Sequence, residues 1–185
     1  MGRLVYTAIA SLDGYIADAE GRFDWSAPDE EVHAALNDLE RGTGTMLLGR
    51  RMYEVLVAWE TMPTADEPPV IEDFARIWRD ADKVVYSTLL EGVTSARTRI
   101  ERTFDIEAVR ALKASSERDL SIGGPLLASH ALDAGLVDEC HVFVNPITVG
   151  AGTPAFQQRR RLDLELVSER RFANGVVHLH YLVRS

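Results

Sequence analysis

Twice in this chain a short apolar run breaks at glycine and gives way to a helical pattern. The first is Met46-Leu47-Leu48-Gly49-Arg50-Arg51-Met52-Tyr53-Glu54, and the second is Leu120-Ser121-Ile122-Gly123-Gly124-Pro125-Leu126-Leu127. A strand that ends at glycine and opens a helix aims backbone N–H groups at one point, which suits phosphate. Two such turns, the first with paired arginines, suit a molecule with several phosphates, such as a dinucleotide.

The rest of the pattern supplies the frame for these turns. Apolar runs at 4–10, 45–48, 83–87, 119–122 and 137–146 predict strands. Helical spacing follows Pro28-Asp29-Glu30-Glu31, with apolar residues at Val32, Leu36 and Leu39 and a stop at Gly42. Further helices are predicted over 50–59, around Ile71 to Trp78, over 106–113 and over 125–134. Strands alternating with helices mean a mainly parallel sheet covered on both faces. Asn174-Gly175, between apolar runs at 162–172 and 176–183, predicts an antiparallel C-terminal hairpin. Residues 11–18 follow the first strand with no element assigned, a polar loop then runs through Gly21 and Trp25, and 149–154 reads as a loop. The expectation is one α/β domain over 1–185.

A chain of 185 residues with 46% hydrophobic content is ample for one core. A net charge of −9 argues against nucleic acid as a partner. No apolar stretch is long enough to span a membrane, and no secretory signal pattern opens the chain, so a cytoplasmic protein is expected. Cys140 is the only cysteine and is expected to pack in a strand. His178 and His180 share a strand face, but spacing offers no third ligand, so no metal site is expected.

Each constellation has two readings. Arg50 and Arg51, behind Gly49, either grip phosphates or cap a solvated helix start. Cations oppose the dipole there, which favours an anion. A ribose 2′-phosphate would explain the pair and favour NADPH over NADH. Gly123-Gly124 either lets a pyrophosphate approach the α-helix start at Pro125 or makes a tight turn needing positive φ. Ser87 and Thr88, at a strand end, either meet an adenosine or close a turn. Asp13, in Ser11-Leu12-Asp13-Gly14, either binds a substrate ring or forms a turn.

The order of these motifs, from Ser11-Leu12-Asp13-Gly14-Tyr15-Ile16-Ala17 through Leu48-Gly49-Arg50-Arg51, Val85-Tyr86-Ser87-Thr88 and Ile122-Gly123-Gly124-Pro125 to Asp138-Glu139-Cys140-His141-Val142-Phe143-Val144-Asn145-Pro146, resembles the dihydrofolate reductase-like superfamily. The similarity is to the branch holding the reductase domain of riboflavin biosynthesis. It implies a three-layer α/β fold, NADPH as cofactor, and a homodimer. It further implies that Gly49, Arg50, Arg51 and Met52 meet the phosphates, that Ser87 and Thr88 meet the adenosine side, and that Gly123, Gly124, Pro125 and Leu126 form the pyrophosphate turn. Ala8, Ile9 and Ile16 would lie near the nicotinamide, and Asp13 would face the substrate.

The chain departs from both classical patterns. Arg50-Arg51-Met52-Tyr53-Glu54 stands where riboflavin reductases carry a glycine-threonine-valine turn, and Ile122 replaces their glutamate. The ring-binding acid of dihydrofolate reductase aligns with His33, with Glu30 one turn earlier. The expected activity is hydride transfer to a pyrimidine- or pterin-type substrate, with Asp13 and Glu30 as candidate catalytic acids. Tyr15 and Trp25 are expected on a mobile closing loop. Alternatives are dihydrofolate reduction proper and a non-catalytic NADP-binding module. The arginine pair and the twin-glycine corner are expected at opposite ends of one elongated anion cradle.

Overall fold

Ten strands and five α-helices follow one another in the computed structural model, which describes residues 1–184. In chain order they are β1 (Leu4–Ser11), β2 (Tyr15–Asp18), α1 (Glu30–Glu40), β3 (Thr43–Gly49), α2 (Arg50–Leu56), α3 (Pro69–Asp80), β4 (Asp82–Tyr86), β5 (Thr98–Glu101), α4 (Ile106–Ser115), β6 (Asp119–Gly123), α5 (Pro125–Asp133), β7 (Glu139–Asn145), β8 (Gly152–Pro154), β9 (Asp163–Arg171) and β10 (Val177–Arg184). The main sheet has the order β5-β4-β3-β6-β1-β7-β10-β9. Strands β5 to β7 in that order are parallel, and β10 and β9 add an antiparallel edge. This is the mainly parallel sheet with a C-terminal hairpin that the alternation predicts.

Side-chain alternation sorts the strands between two cores. Tyr6, Leu47, Val84, Leu120 and Cys140 share one core with Leu127, Ala131 and Leu132 of α5 and Val109 of α4. Met46, Leu48 and Val85 face the other way, onto Tyr53 of α2 and Ile77 and Trp78 of α3. Val32, Leu36 and Leu39 of α1 cover Ile9, Phe143 and Phe172. The result is three layers, with α1 to α3 on one face and α4 and α5 on the other. Asn37 pins α1 to α3, donating from Nδ2 to the Val70 carbonyl (2.9 Å) and to Asp73 (2.8 Å).

Two predicted features differ. The helix expected over 50–59 stops at Leu56, and Val57–Glu60 tightens into a 3₁₀ turn. The unassigned stretch after β1 contains β2, and the loop expected at 149–154 contains β8, and the two pair antiparallel as a small second sheet. Gly152 makes that pairing so close that a Cβ there would lie 1.9 Å from the Ala17 carbonyl oxygen, so only glycine fits. Tyr15 is therefore held in a strand rather than on a free loop, and its N–H donates to Ser11 Oγ at 3.0 Å.

Candidate active site

Parallel strands put their carboxyl ends on one edge, and a ligand in such a sheet binds outside that edge. Here Ser11, Gly49, Tyr86, Gly123 and Asn145 end β1, β3, β4, β6 and β7 there. Because β3 and β6 are neighbours, with Leu48 opposite Gly123, the two glycine turns lie side by side. A Cβ on Gly124 would sit 3.8 Å from both N and Cα of Gly49. Gly124 has φ +98°, a conformation that favours glycine, and Pro125 follows as the first residue of α5. The turns are thus a single feature, not the two ends of an elongated cradle, because adjacent strands carry them.

The helix starts at this feature are unusual within the molecule. Asp29 caps α1 through the Val32 N–H, and Asp105 caps α4 through the Glu107 and Ala108 N–H groups. Among the described residues, α2 and α5 are the helices with neither a capping side chain nor an acid in the first turn. Their first-turn N–H groups and the positive ends of their dipoles meet at the abutting glycines. Arg50 bonds Glu54 at 2.7 Å, and Arg51 is exposed. Met52 packs beneath Gly123, where a Cβ would come within 3.0 Å of its Cγ.

The other expected residues fall as follows. Ser87 is buried, and its Oγ accepts from the N–H groups of Leu89 (3.1 Å) and Leu90 (2.9 Å), so the hydroxyl oxygen holds the turn after β4. Thr88 is exposed beside it. Ala8 and Ile9 sit within β1 with side chains in opposite cores, so only their backbone can be common to one ligand. Ile16 packs on the α5 side from β2. Leu12, Leu89 and Leu126 are all more than half exposed and all lie at the carboxyl edge.

Asp13 is committed to the loop across from it. Its carboxylate accepts from Ser11 Oγ (2.6 Å), the Gly150 N–H (2.7 Å) and the Val149 N–H (3.1 Å). The Ser11 hydroxyl, with these amides, holds the carboxyl below its ordinary range. A proton donor wants a raised carboxyl, so Asp13 fits a binding and positioning role better than an acid role.

A cavity of about 360 Å³ opens between the start of α1 and the start of α3, lined by Pro28, Asp29, Glu30, His33, Glu67 and Val70 among others. Both helices run away from the carboxyl edge toward the strand that follows them, so the cavity lies at that edge. Among the described residues no lysine or arginine lines it. His33 sits edge-on to Trp59 and Phe74, and burial lowers its pKa. His33 Nδ1, in the cavity lining, is buried without a partner among the described residues. Such orphaned groups are rare and invite a ligand or water.

Sequence reasoning missed one cluster elsewhere. Register sets His141 of β7 opposite His180 of β10, and alternation puts Glu139 on the same face. These three side chains bring one potential ligand atom each within 4.8 Å of the others. The third donor that spacing did not offer comes from cross-strand pairing. Cys140, between them, points into the opposite core, and burial pushes its thiol up to about 12.

Comparison with known proteins agrees with this architecture. The family model described as the RibD C-terminal domain matches residues 3–178. A Bacillus subtilis (strain 168) protein described as uncharacterized protein YyaP is 26% identical over 182 residues, covering 97% of this chain and 94% of that one. A Shewanella sp. PV-4 crystal structure ascribed to riboflavin biosynthesis superposes with TM-score 0.77 at 19% identity, covering 99% of each chain. Dihydrofolate reductase from Enterococcus faecalis, complexed with NADP(H), superposes with TM-score 0.65 at 16% identity, covering 100% of this chain and 98% of that one. The dihydrofolate reductase-like fold is therefore established, and the chain belongs to the RibD C-terminal domain family.

Proposed function

We propose that this protein is an NADPH-dependent reductase that delivers hydride to a pyrimidine- or pterin-type substrate. The observation that carries this reading is the pair of uncapped, acid-free helix starts meeting at Gly49 and Gly124. The geometry fits a dinucleotide phosphate group, since the N–H groups of two first turns converge beside two arginines. Arg50 exchanges its Glu54 partner for a phosphate, and Arg51 adds a second guanidinium. The exposed Leu126 and Leu89 cover the apolar faces of the cofactor. When bound, the cofactor supplies the hydride.

This chain's own residues bind, orient and exclude water. The β1 backbone at Ala8 and Ile9 borders the nicotinamide side. Asp13 ties the turn after β1 to the loop at Val149 and Gly150, which fixes the substrate side of the cleft. Glu30 offers a carboxylate to ring N–H groups in the cavity between α1 and α3. It is the remaining candidate to pass a proton, directly or through water, to the reduced substrate.

The cavity favours a second, narrower reading of the substrate. A ribose phosphate entering it would face Asp29, Glu30 and Glu67 with no cationic side chain to pair it. A neutral or cationic heterocycle, as in pterin reduction, fits this lining better than the phosphoribosylamino-pyrimidine of riboflavin biosynthesis. Steady NADPH oxidation should occur with a dihydropterin and not with the phosphoribosyl substrate. Turnover of neither would favour a non-catalytic nucleotide-binding module.

A homodimer is part of the proposal. Every residue of β9 is exposed, including Leu164, Leu166 and Val167, on an edge strand of the main sheet. A second copy seated there would cover both the apolar side chains and the unpaired strand edge.

A further inference from the structure

We propose that Glu139, His141 and His180 form a binding site for one divalent transition-metal ion that prefers imidazole, of the Zn²⁺ or Co²⁺ kind, at the sheet edge opposite the cofactor cleft. Nothing in the reductase reading uses these residues. His141 lies four residues before the end of β7, which puts the cluster about 13 Å below the carboxyl edge at the usual strand rise.

The donors already converge. His180 Nε2 is 3.0 Å and His141 Nε2 is 3.6 Å from Glu139 Oε2. Ligand atoms around a tetrahedral Zn²⁺, bound at roughly 2.0–2.2 Å, stand about 3.3 Å apart. The two separations to the carboxylate oxygen bracket that value, and the third, between the imidazole nitrogens, is within 4.8 Å, so rotation of the side chains on a fixed backbone brings the set onto one ion. The His141 and His180 rings stack at 4.1 Å with 14° between their planes, so the more exposed His180 ring turns about its side-chain torsions to aim its Nε2 at an ion shared with His141.

The surroundings complete the pattern expected of a metal-binding imidazole. A ligating histidine nearly always engages its second ring nitrogen, which fixes tautomer and orientation. His141 Nδ1 lies 2.9 Å from His178 Nε2. With the proton on Nδ1, the Nε2 lone pair faces Glu139. Arg3 Nη1 holds the other carboxylate oxygen, Oε1, at 2.6 Å and leaves Oε2 free to ligate. Thr7, at the paired position of β1 beside His141, has a buried hydroxyl with no partner. A water on the ion would satisfy it. Entry is open on one side, since the His180 side chain is 19% exposed while those of Glu139 and His141 are 8% and 5% exposed.

The donor set also selects the ion. Arg3 offsets the single carboxylate charge, so a hard oxygen-seeking cation such as Mg²⁺ or Ca²⁺ gains little here. Two neutral imidazoles and one carboxylate suit Zn²⁺, Co²⁺ or Ni²⁺.

The test uses the full chain after chelator treatment, titrated with Co²⁺ near pH 7.5 while the visible d–d absorption is followed. The expected result is one ion per chain, displaced by Zn²⁺ and not by excess Mg²⁺. His180→Ala, at the most exposed ligand, should weaken binding at least a hundredfold while leaving the circular dichroism unchanged. His178→Ala should weaken it about tenfold, as loss of an outer-shell partner does. His130→Ala, outside the cluster on α5, should bind as the unaltered chain does. Absence of a saturable band in the unaltered chain would overturn the proposal, as would equal binding by His180→Ala. Neither readout depends on reductase activity, so the two proposals fail separately.

Discussion

Gly49 and Gly124 stand back to back at the carboxyl edge of the sheet, and a Cβ on Gly124 would lie 3.8 Å from the Gly49 Cα. Their roles differ even so. Gly124 has φ +98°, whereas Gly49 has φ −69°, and a Cβ on Gly49 would make only ordinary contacts at 3.7–3.8 Å. Gly124→Ala should therefore destabilise the fold by about 1–3 kcal/mol, the cost of a strained backbone. Gly49→Ala should cost under about 1 kcal/mol. Urea denaturation of both variants checks this, and equal losses would contradict it.

Asp13 sets a pH dependence. Its folded pKa is depressed, chiefly by the Ser11 hydroxyl with help from the Gly150 and Val149 amides. Stability from these bonds is fully present above the ordinary carboxylate pKa and is lost as pH falls through the lower folded value. The amide resonances of Val149 and Gly150 should hold steady through the ordinary carboxylate range and move only as the pH falls below it. In Asp13→Asn both should already be shifted at pH 7. An Asp13→Asn chain with unaltered amide shifts would show that the loop does not depend on the carboxylate.

Asp29 is engaged as the cap of α1, and of the other carboxylates lining the cavity, Glu30 and Glu67, Glu30 is the one assigned to work on a substrate ring. Glu30→Gln should lower kcat/KM for a dihydropterin by about 10²-fold, the scale of a lost acid–base or ring-orienting group. NADPH affinity should not change, because Glu30 lies outside the glycine turns. Stopped-flow hydride transfer and cofactor titration separate the two effects, and a change confined to cofactor affinity would contradict the assignment.

The exposed strand β9 predicts an oligomer. Leu166→Lys should shift the chain from dimer to monomer in light scattering coupled to size exclusion, with little effect on the far-ultraviolet spectrum. A monomeric unaltered chain would remove this part of the proposal.

Local features of the chain were legible because local physics decides them. The glycine turns, the Asp29 helix start and the Asn174-Gly175 hairpin each need only a few consecutive residues, and each stands in the structure. Strands β2 and β8 were not legible, since they are short, partly polar and stabilised by each other across distant sequence. The bonds of Asp13 to Val149 and Gly150 and the gathering of Glu139, His141 and His180 are also non-local. Alternation places His178 and His180 on one face, but only the register of β10 on β7 says which residues they meet. The same limit explains why the sequence alone reads the arginine pair and the twin-glycine corner as opposite ends of a cradle. Their adjacency depends on β6 inserting beside β3, which no local signal encodes.

In the reductase reading the arginine pair beside the joined glycine turns holds the 2′-phosphate that distinguishes NADPH from NADH. The decisive measurement is calorimetric titration of the unaltered chain and of the Arg50→Ala, Arg51→Ala double variant, each with NADPH and with NADH. The unaltered chain should prefer NADPH, and the double variant should lose about tenfold to a hundredfold in NADPH affinity, the scale of lost charge-assisted bonds, with NADH binding nearly unchanged. Equal loss for both cofactors, or no heat with either, would contradict that reading.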